Sequence, residues 1–363
     1  MIPPETEILD NLDLIKGIDK SNLLKHLLNF PQQCKEARAI GKLVKLPKSY
    51  MNYNNIVLSG LGGSAIGADL VRSYIWAHFK KSIYINRNYT LPGFIGSSTV
   101  LFCLSYSGDT EETISSYYNG KRKNAKSVIL TSGGKLKKIA IRDNIPHIII
   151  PKGLPPRQAL GYSFFPLLYA ISKISGLKPD EGPVEETLAY LEHVRTLFKP
   201  QQKTRENLAK RIALKLHNKL PLIYGTQDHM DTIVLRFRNQ LEENSKHISF
   251  SHLFPEMNHN EIVGWENPKV ILRNIAVVLF RDKEDYPRTK LRIDITKKII
   301  KRYTNTIIEI HSLGNCLLSR MFYLIYLGDF VSFYLAILNN VDPTPVDKVK
   351  YLKDRLARFK TVG

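Results

Sequence analysis

Short apolar runs recur along this chain, each bounded by turn residues and followed by a stretch with helical spacing of its apolar positions. Residues 55–59, 82–86, 99–104, 127–131 and 147–151 read as strands in the first half. Residues 221–225, 270–272, 275–280 and 306–310 read as strands in the second. Near-continuous apolar strands alternating with helices predict parallel sheets covered on both faces. The chain is therefore expected to be α/β, with two doubly wound parallel-sheet domains. Residues 1 to about 50 look helical and amphipathic, ending near Pro47. A helix pattern covers residues 68–80, and another starts near Glu111. Residues 151–161 form a proline-rich, hinge-like segment, followed by a helix over 162–175 and a second linker over 176–183. Residues 322–338 are the most apolar late stretch, interrupted by Gly328 and Asp329. They predict a buried core helix rather than a membrane span, which needs about 20 mostly apolar residues. Residues 346–359 predict a basic tail helix.

With 363 residues, two domains can each bury a core. Lysine and arginine outnumber aspartate and glutamate by 53 to 33, for a formal charge of +20. The clusters at 121–126 and 297–302, and the charges between Lys199 and Lys215 on an expected helix, are not interleaved with aromatics. No helix-turn-helix or RNA-binding signature accompanies them, so nucleic acid is not an expected partner; solvated basic faces that attract an anionic metabolite are. Cys34, Cys103 and Cys316 lie far apart with no CxxC pair. This argues against a disulfide framework or a zinc site and suits a reducing cytoplasm. The first 20 residues carry no apolar run of the signal-peptide kind. No metal, cofactor or membrane is expected.

The clearest local chemistry lies in two turns. The strand 55–59 runs into Gly60-Leu61-Gly62-Gly63-Ser64-Ala65-Ile66-Gly67, and the strand 99–104 into Ser105-Tyr106-Ser107-Gly108-Asp109-Thr110. Each turn follows a strand and opens a helix, whose first N–H groups lack internal partners and carry partial positive charge. A phosphate fits there. Gly63 allows close approach, and Ser64, Ser105, Ser107 and Thr110 add hydroxyl donors. One such turn serves equally as a plain connection. Two hydroxyl-rich turns in one sheet point to a phosphate cradle. The first turn lacks the Lys-Ser/Thr ending of a nucleotide P-loop and has Ala65 where the dinucleotide fingerprint places its third glycine.

These two turns resemble the phosphate loops of the sugar isomerase (SIS) domain. Three further segments resemble the bifunctional phosphoglucose/phosphomannose isomerase branch of that superfamily. They are Pro155-Pro156-Arg157-Gln158-Ala159-Leu160-Gly161, Gln240-Leu241-Glu242-Glu243-Asn244-Ser245-Lys246 and the stretch from Glu256 through His259 to Trp265. Gly328-Asp329 and Asp342-Pro343-Thr344-Pro345-Val346 fit as well. The resemblance implies two SIS domains: residues 1–153 (N-terminal helices plus the first domain), 154–190 (hinge and linker helix), 191–345 (the second domain) and 346–363 (a C-terminal helix). It implies Glu243 as catalytic base, Arg157 as the cation beside the developing negative charge, and His259 for ring opening. It also implies a homodimer in which His259 reaches the site of the other chain. Lys353 resembles a family lysine that closes over the sugar. The family motif usually reads Asn-Glu-Asn; here Glu242 replaces the first asparagine, and register on Asn244, Ser245 and Lys246 makes Glu243 the base.

The residue types suit the implied reaction. Moving a carbonyl between carbon 1 and carbon 2 of an open-chain sugar phosphate needs a carboxylate that takes and returns one proton. A cis-enediolate needs a nearby cation, and ring opening needs a proton donor of histidine type. Glucose and mannose 6-phosphates share one enediolate with fructose 6-phosphate. The alternative is a non-catalytic, sugar-phosphate-sensing SIS protein, which would need an attached DNA-binding domain.

Overall fold

A computed structural model describes residues 5–177 and 179–358. Four helices open it: α1 (Glu5–Asp10), α2 (Leu12–Ile18), α3 (Leu23–Leu28) and α4 (Phe30–Leu43). The first sheet follows with β1 (Asn55–Ser59), α5 (Gly62–Ile75), β2 (Ser82–Asn86), β3 (Thr99–Leu104), α6 (Glu111–Arg122), β4 (Lys126–Thr131), α7 (Gly134–Arg142) and β5 (His147–Ile149). Its order is β2-β1-β3-β4-β5, all parallel. The strand order reverses between β1 and β3, so their carboxyl ends flank the crevice where such sheets bind ligands. The two hydroxyl-rich turns leave the sheet at these ends.

Three helices connect to the second sheet: α8 (Leu160–Ile174), α9 (Glu181–Phe198) and α10 (Leu208–Leu216). The second half contains β6 (Leu220–Thr226), α11 (Asp231–Ser245), β7 (Phe250–Phe254), α12 (Lys269–Leu272), β8 (Ile275–Arg281), α13 (Pro287–Ile300), β9 (Thr306–His311), α14 (Leu317–Leu338) and α15 (Asp347–Leu356). The second sheet has the order β7-β6-β8-β9 and is also parallel. The expected α/β class with two parallel sheets is what the structure shows.

Local readings changed in four places. Residues 270–272, expected as a strand, belong to α12, because Pro268 precedes a single helical turn that leaves Val270 exposed. The strand β7 was not anticipated: it is a sheet edge of mixed burial that carries Ser251 and His252, so it lacks a continuous apolar run. Helix α5 begins at Gly62, six positions ahead of the expected start, since the glycine turn itself winds into its first turn. The basic stretch from Lys199 is helical only from Leu208, after Asn207 caps the helix by accepting from the Lys210 N–H. The tail helix is α15, with Phe359 outside the described residues.

The centre is helical. α14 is mostly apolar and buried from Leu318 to Leu338, which is how such a helix must sit in a globular fold. By length and composition it would also pass as a membrane span, yet all of it is enclosed by protein. Phe322 packs on Phe164 of α8 at 5.0 Å between ring centroids and on Phe30 of α4 at 6.1 Å. One apolar cluster thus joins the two sheets and the N-terminal helices. Truncating Phe322 to alanine would cost roughly 3–5 kcal/mol.

Candidate active site

The two turns of the first sheet bind each other. The Tyr106 N–H donates to Ser64 Oγ at 3.1 Å. Ser105 Oγ accepts from the Gly108 N–H at 3.1 Å and lies 2.8 Å from Thr110 Oγ1. The Asp109 N–H donates to Ser107 Oγ at 3.3 Å. Ser64 and Ser105 are buried, whereas Ser107 is exposed at the mouth. Neither α5 nor α6 has a side-chain N-cap, so first-turn N–H groups stay available to a ligand.

A third turn packs against the second. Ser132-Gly133-Gly134 follows β4 and opens α7, by the same strand-turn-helix logic as the first two. Gly134 has φ +67°, and a Cβ there would lie 2.3 Å from the Ser107 carbonyl oxygen. Only glycine fits. Sequence reasoning passed over this turn although it carries the same signal.

Arg157 enters from the segment that follows β5. The Leu154 N–H donates to the Tyr106 hydroxyl at 2.9 Å, pinning that segment to the second turn. A Cβ on Gly63 would meet the Pro156 carbonyl oxygen at 2.6 Å, so the first turn and the Arg157 backbone are in direct contact. The Arg157 side chain is buried. Its Nε donates to Asn244 Oδ1 at 2.7 Å, and its Nη2 donates to the carbonyls of Pro343 and Thr344 at 2.9 and 2.8 Å. Its Nη1 stands 3.6 Å from Glu243 Oε2. Burial pushes the guanidinium pKa down and the Glu243 charge opposes this. Asn244, known in the sequence only as a register mark, is thus a direct ligand of Arg157.

Glu243 sits near the end of α11, with about a third of its side chain exposed to a cavity of about 650 Å³. Lys246, His247, Pro345 and Val349 share its walls. Lys246 adopts the left-handed conformation that ends α11, and its Nζ donates to the carbonyls of Glu243 at 2.6 Å and Pro343 at 3.2 Å. Burial and the nearby Arg157 charge lower its pKa to about 8. Glu242 lines the same cavity, with its Oε1 3.7 Å from Arg238 Nε and away from Arg157. Its pKa is raised, first by burial and also by the Glu243 charge. Lys353 lies on the exposed helix α15, one helical turn beyond Val349 on the same face.

His259 is not brought to this cavity. The second sheet is parallel, so α11 runs back to its amino-terminal edge, where His247 Nε2 lies 2.6 Å from the Lys219 carbonyl oxygen. His259 follows the carboxyl end of β7 and is therefore at the opposite edge. The thirteen-residue span from Asp231 to Glu243 alone covers roughly 18 Å. The His259 side chain is exposed, yet its segment is firmly anchored. Met257 and Trp265 are buried, Asn258 Nδ2 donates to Thr296 Oγ1 at 2.8 Å, and the buried Tyr224 hydroxyl donates to Glu261.

The carboxyl edge of the second sheet carries acids where the first carries hydroxyls. Asp231 opens α11 and pairs with Arg72 at 2.5 Å, and Asp282 after β8 pairs with the buried Arg320 at 2.9 Å. Among the described residues no group of three or more histidine, cysteine or carboxylate side chains is placed to hold a metal.

Residues 205–356 match the family model described as the bacterial phospho-glucose isomerase C-terminal SIS domain. The bifunctional phosphoglucose/phosphomannose isomerase of Caldicellulosiruptor bescii is 45% identical over 338 residues, 93% of this chain and 100% of that protein. The enzyme of the same name from Aquifex aeolicus is 33% identical, over 86% of this chain and 93% of its own length. Among solved structures, a glucose-6-phosphate isomerase like protein from Thermus thermophilus aligns with a TM-score of 0.59 at 20% identity, covering 93% of this chain and 98% of that one. The last likeness shows the shared fold.

Proposed function

The chain belongs to the bifunctional phosphoglucose/phosphomannose isomerase family, and from that premise we propose the following chemistry for it. It interconverts glucose 6-phosphate and mannose 6-phosphate with fructose 6-phosphate. The phosphate sits on the N-termini of α5 and α6, with Ser64, Ser105, Ser107 and Thr110 as hydroxyl donors and Gly63 as the point of close approach. Glu243 takes a proton from one of carbons 1 and 2 and returns it to the other. The Arg157 guanidinium, held in a largely dry pocket, faces the enediolate charge that develops between these steps. His259 of the partner subunit transfers a proton at the ring oxygen to open the cyclic sugar.

The observation that carries this reading is the 3.6 Å approach of Arg157 to Glu243 beside the phosphate turns. A carboxylate on the cavity wall meets a buried cation whose backbone segment touches the first turn. The opposite-edge position of His259 supports a homodimer, because no single chain brings it to Glu243. Lys353, one turn beyond the cavity-lining Val349 on α15, takes the part of the lysine that approaches a bound sugar. The segment 154–190 divides the two SIS domains, and it carries Arg157 between them. Three unpaired cysteines, two of them buried, fit a reducing cytoplasm. The N-terminal helices pack into the central core, with the Tyr326 hydroxyl donating to the Leu27 carbonyl at 2.7 Å, and do not stand apart as a sensor's DNA-binding module would. A coupled assay that follows fructose 6-phosphate conversion to both aldose phosphates tests the reading. Formation of neither product would reject it.

A further inference from the structure

Asp329 is a buried charge that the isomerisation steps above leave without a part. It lies midway along α14, a mostly apolar helix, and its side chain is 4% exposed. Arg236 on α11 donates through Nη2 to both carboxylate oxygens, at 2.9 and 2.7 Å, and Gln240 Nε2 donates to Oδ1 at 3.0 Å. Arg236, Gln240 and Asn244 are spaced four residues apart, so they form one stripe along α11. Beside them, Gly328 lets α11 approach closely, since a Cβ there would meet Phe237 Cδ2 at 2.7 Å.

Two sets of contacts join α11 and α14 to Arg157, and the first starts from this buried pair. Arg236 Nη1 and Nη2 donate to the main-chain carbonyl of Arg157 at 3.3 and 3.2 Å. Asn244 accepts from Arg157 Nε, and its own Nδ2 donates to Ser332 Oγ at 2.9 Å. Ser332 Oγ in turn donates to the Asp329 carbonyl at 2.8 Å. The first fixes the backbone of Arg157 through the charged pair; the second fixes its side chain through Asn244 and Ser332 and meets only the main chain of Asp329. Stability alone does not explain the pair, because buried ion pairs are often matched or bettered by apolar residues of similar volume.

We propose that Arg236 and Asp329 are positioning residues that, together with Asn244, hold the Arg157 guanidinium facing Glu243. This rests on the reading of Arg157 as the cation beside the enediolate. A purely structural bridge between α11 and α14 is the competing account. The two differ in what they do to turnover at constant substrate binding.

The test uses the full chain and four proteins: parent, Arg157→Lys, the paired variant Arg236→Met with Asp329→Leu, and all three changes together. Turnover number and Michaelis constant for fructose 6-phosphate are measured with a thermal melt of each. The paired variant is expected to melt cooperatively, to lose about 10–100-fold in kcat and to keep its KM within about twofold. In the Arg157→Lys background the pair should cost less than about threefold more, because the group it positions is already displaced. Unchanged kcat in the paired variant, or a loss that adds in full to Arg157→Lys, overturns the proposal. Full activity in Arg157→Lys alone overturns the functional reading beneath it, and is seen separately. If the paired variant does not fold, Asn244→Leu, which leaves both charges paired, carries the same expectation of a kcat loss that vanishes in Arg157→Lys.

Discussion

Arg157 Nη1 lies 3.6 Å from Glu243 Oε2, while the adjacent Glu242 reaches toward Arg238 at 3.7 Å. Consecutive residues on a helix point about 100° apart, so although both carboxylates line one cavity, only Glu243 stands beside Arg157. The same arrangement places Glu261 at the far edge of the second sheet, under the Tyr224 hydroxyl.

Glu243→Gln preserves shape and removes the proposed base. Isomerisation should fall by about 10²–10⁴-fold. Glucose and mannose phosphate activities should fall together, because one enediolate serves both. Glu242→Gln should change either rate by less than about threefold, since it acts on the site only through charge. Steady-state kinetics of the two variants decide the matter. A dead Glu242→Gln beside an active Glu243→Gln would put the base at the other position.

Ser107 is exposed at the mouth of the turn, whereas Ser105 is buried and supports the Gly108 N–H. Ser107→Ala should therefore weaken phosphate binding without reshaping the turn. KM should rise several-fold with kcat within about twofold, the signature of an interaction shared by ground and transition states. Ser105→Ala should also lower thermal stability, by about 1–2 kcal/mol for a buried hydrogen bond left unmade. A fall in kcat at unchanged KM for Ser107→Ala would remove that hydroxyl from the phosphate site.

Much of this was legible in the sequence. Strand-turn-helix punctuation exposed the first sheet and both hydroxyl-rich turns, because parallel strands are apolar throughout and glycine marks the points of close approach. The edge strand β7 was illegible for the opposite reason: half its face meets solvent, so Ser251 and His252 break the apolar run. Arg157, Glu243 and His259 gained roles from resemblance alone, since no spacing links residues so far apart in the chain. Asn244 as a ligand of Arg157, and the position of His259 away from Glu243, follow from the packing of α11 on the second sheet, which periodicity does not encode.

Lys246 gives the site a pH dependence of predictable sign. Burial and Arg157 bring its pKa down to about 8, against the opposing charges of Asp342, Glu243 and Asp347. Raising the pH through about 8 should discharge it and remove a cation from the cavity, so kcat/KM should fall on that limb. Stability should move the other way. The unfolded lysine keeps its proton up to its ordinary value of 10.5, so between about 8 and 10.5 the unfolded state binds more protons and stability rises with pH. Lys246→Arg should carry the activity limb out of the measurable range. A limb near 8 that persists in Lys246→Arg would assign it to another group.

The position of His259 allows the sharpest test of a shared site. Within one chain it lies across the second sheet from Glu243, so a site that uses both must draw them from two chains. The Glu243→Gln and His259→Ala proteins should each be impaired on cyclic fructose 6-phosphate. His259→Ala should be affected less on an open-chain analogue. Mixed and allowed to exchange subunits, the two variants form heterodimers in which one site carries both changes and the other carries neither. Random exchange makes half of the dimers mixed, with one intact site in two, so activity should recover to roughly a quarter of the parent value. Sites confined to one chain would leave every chain with a defect, and mixing would give no more than the average of the two variants. Recovery should also depend on exchange, appearing after dilution and reassembly and not on brief mixing. Flat activity after verified heterodimer formation would mean that His259 does not serve the Glu243 of another chain.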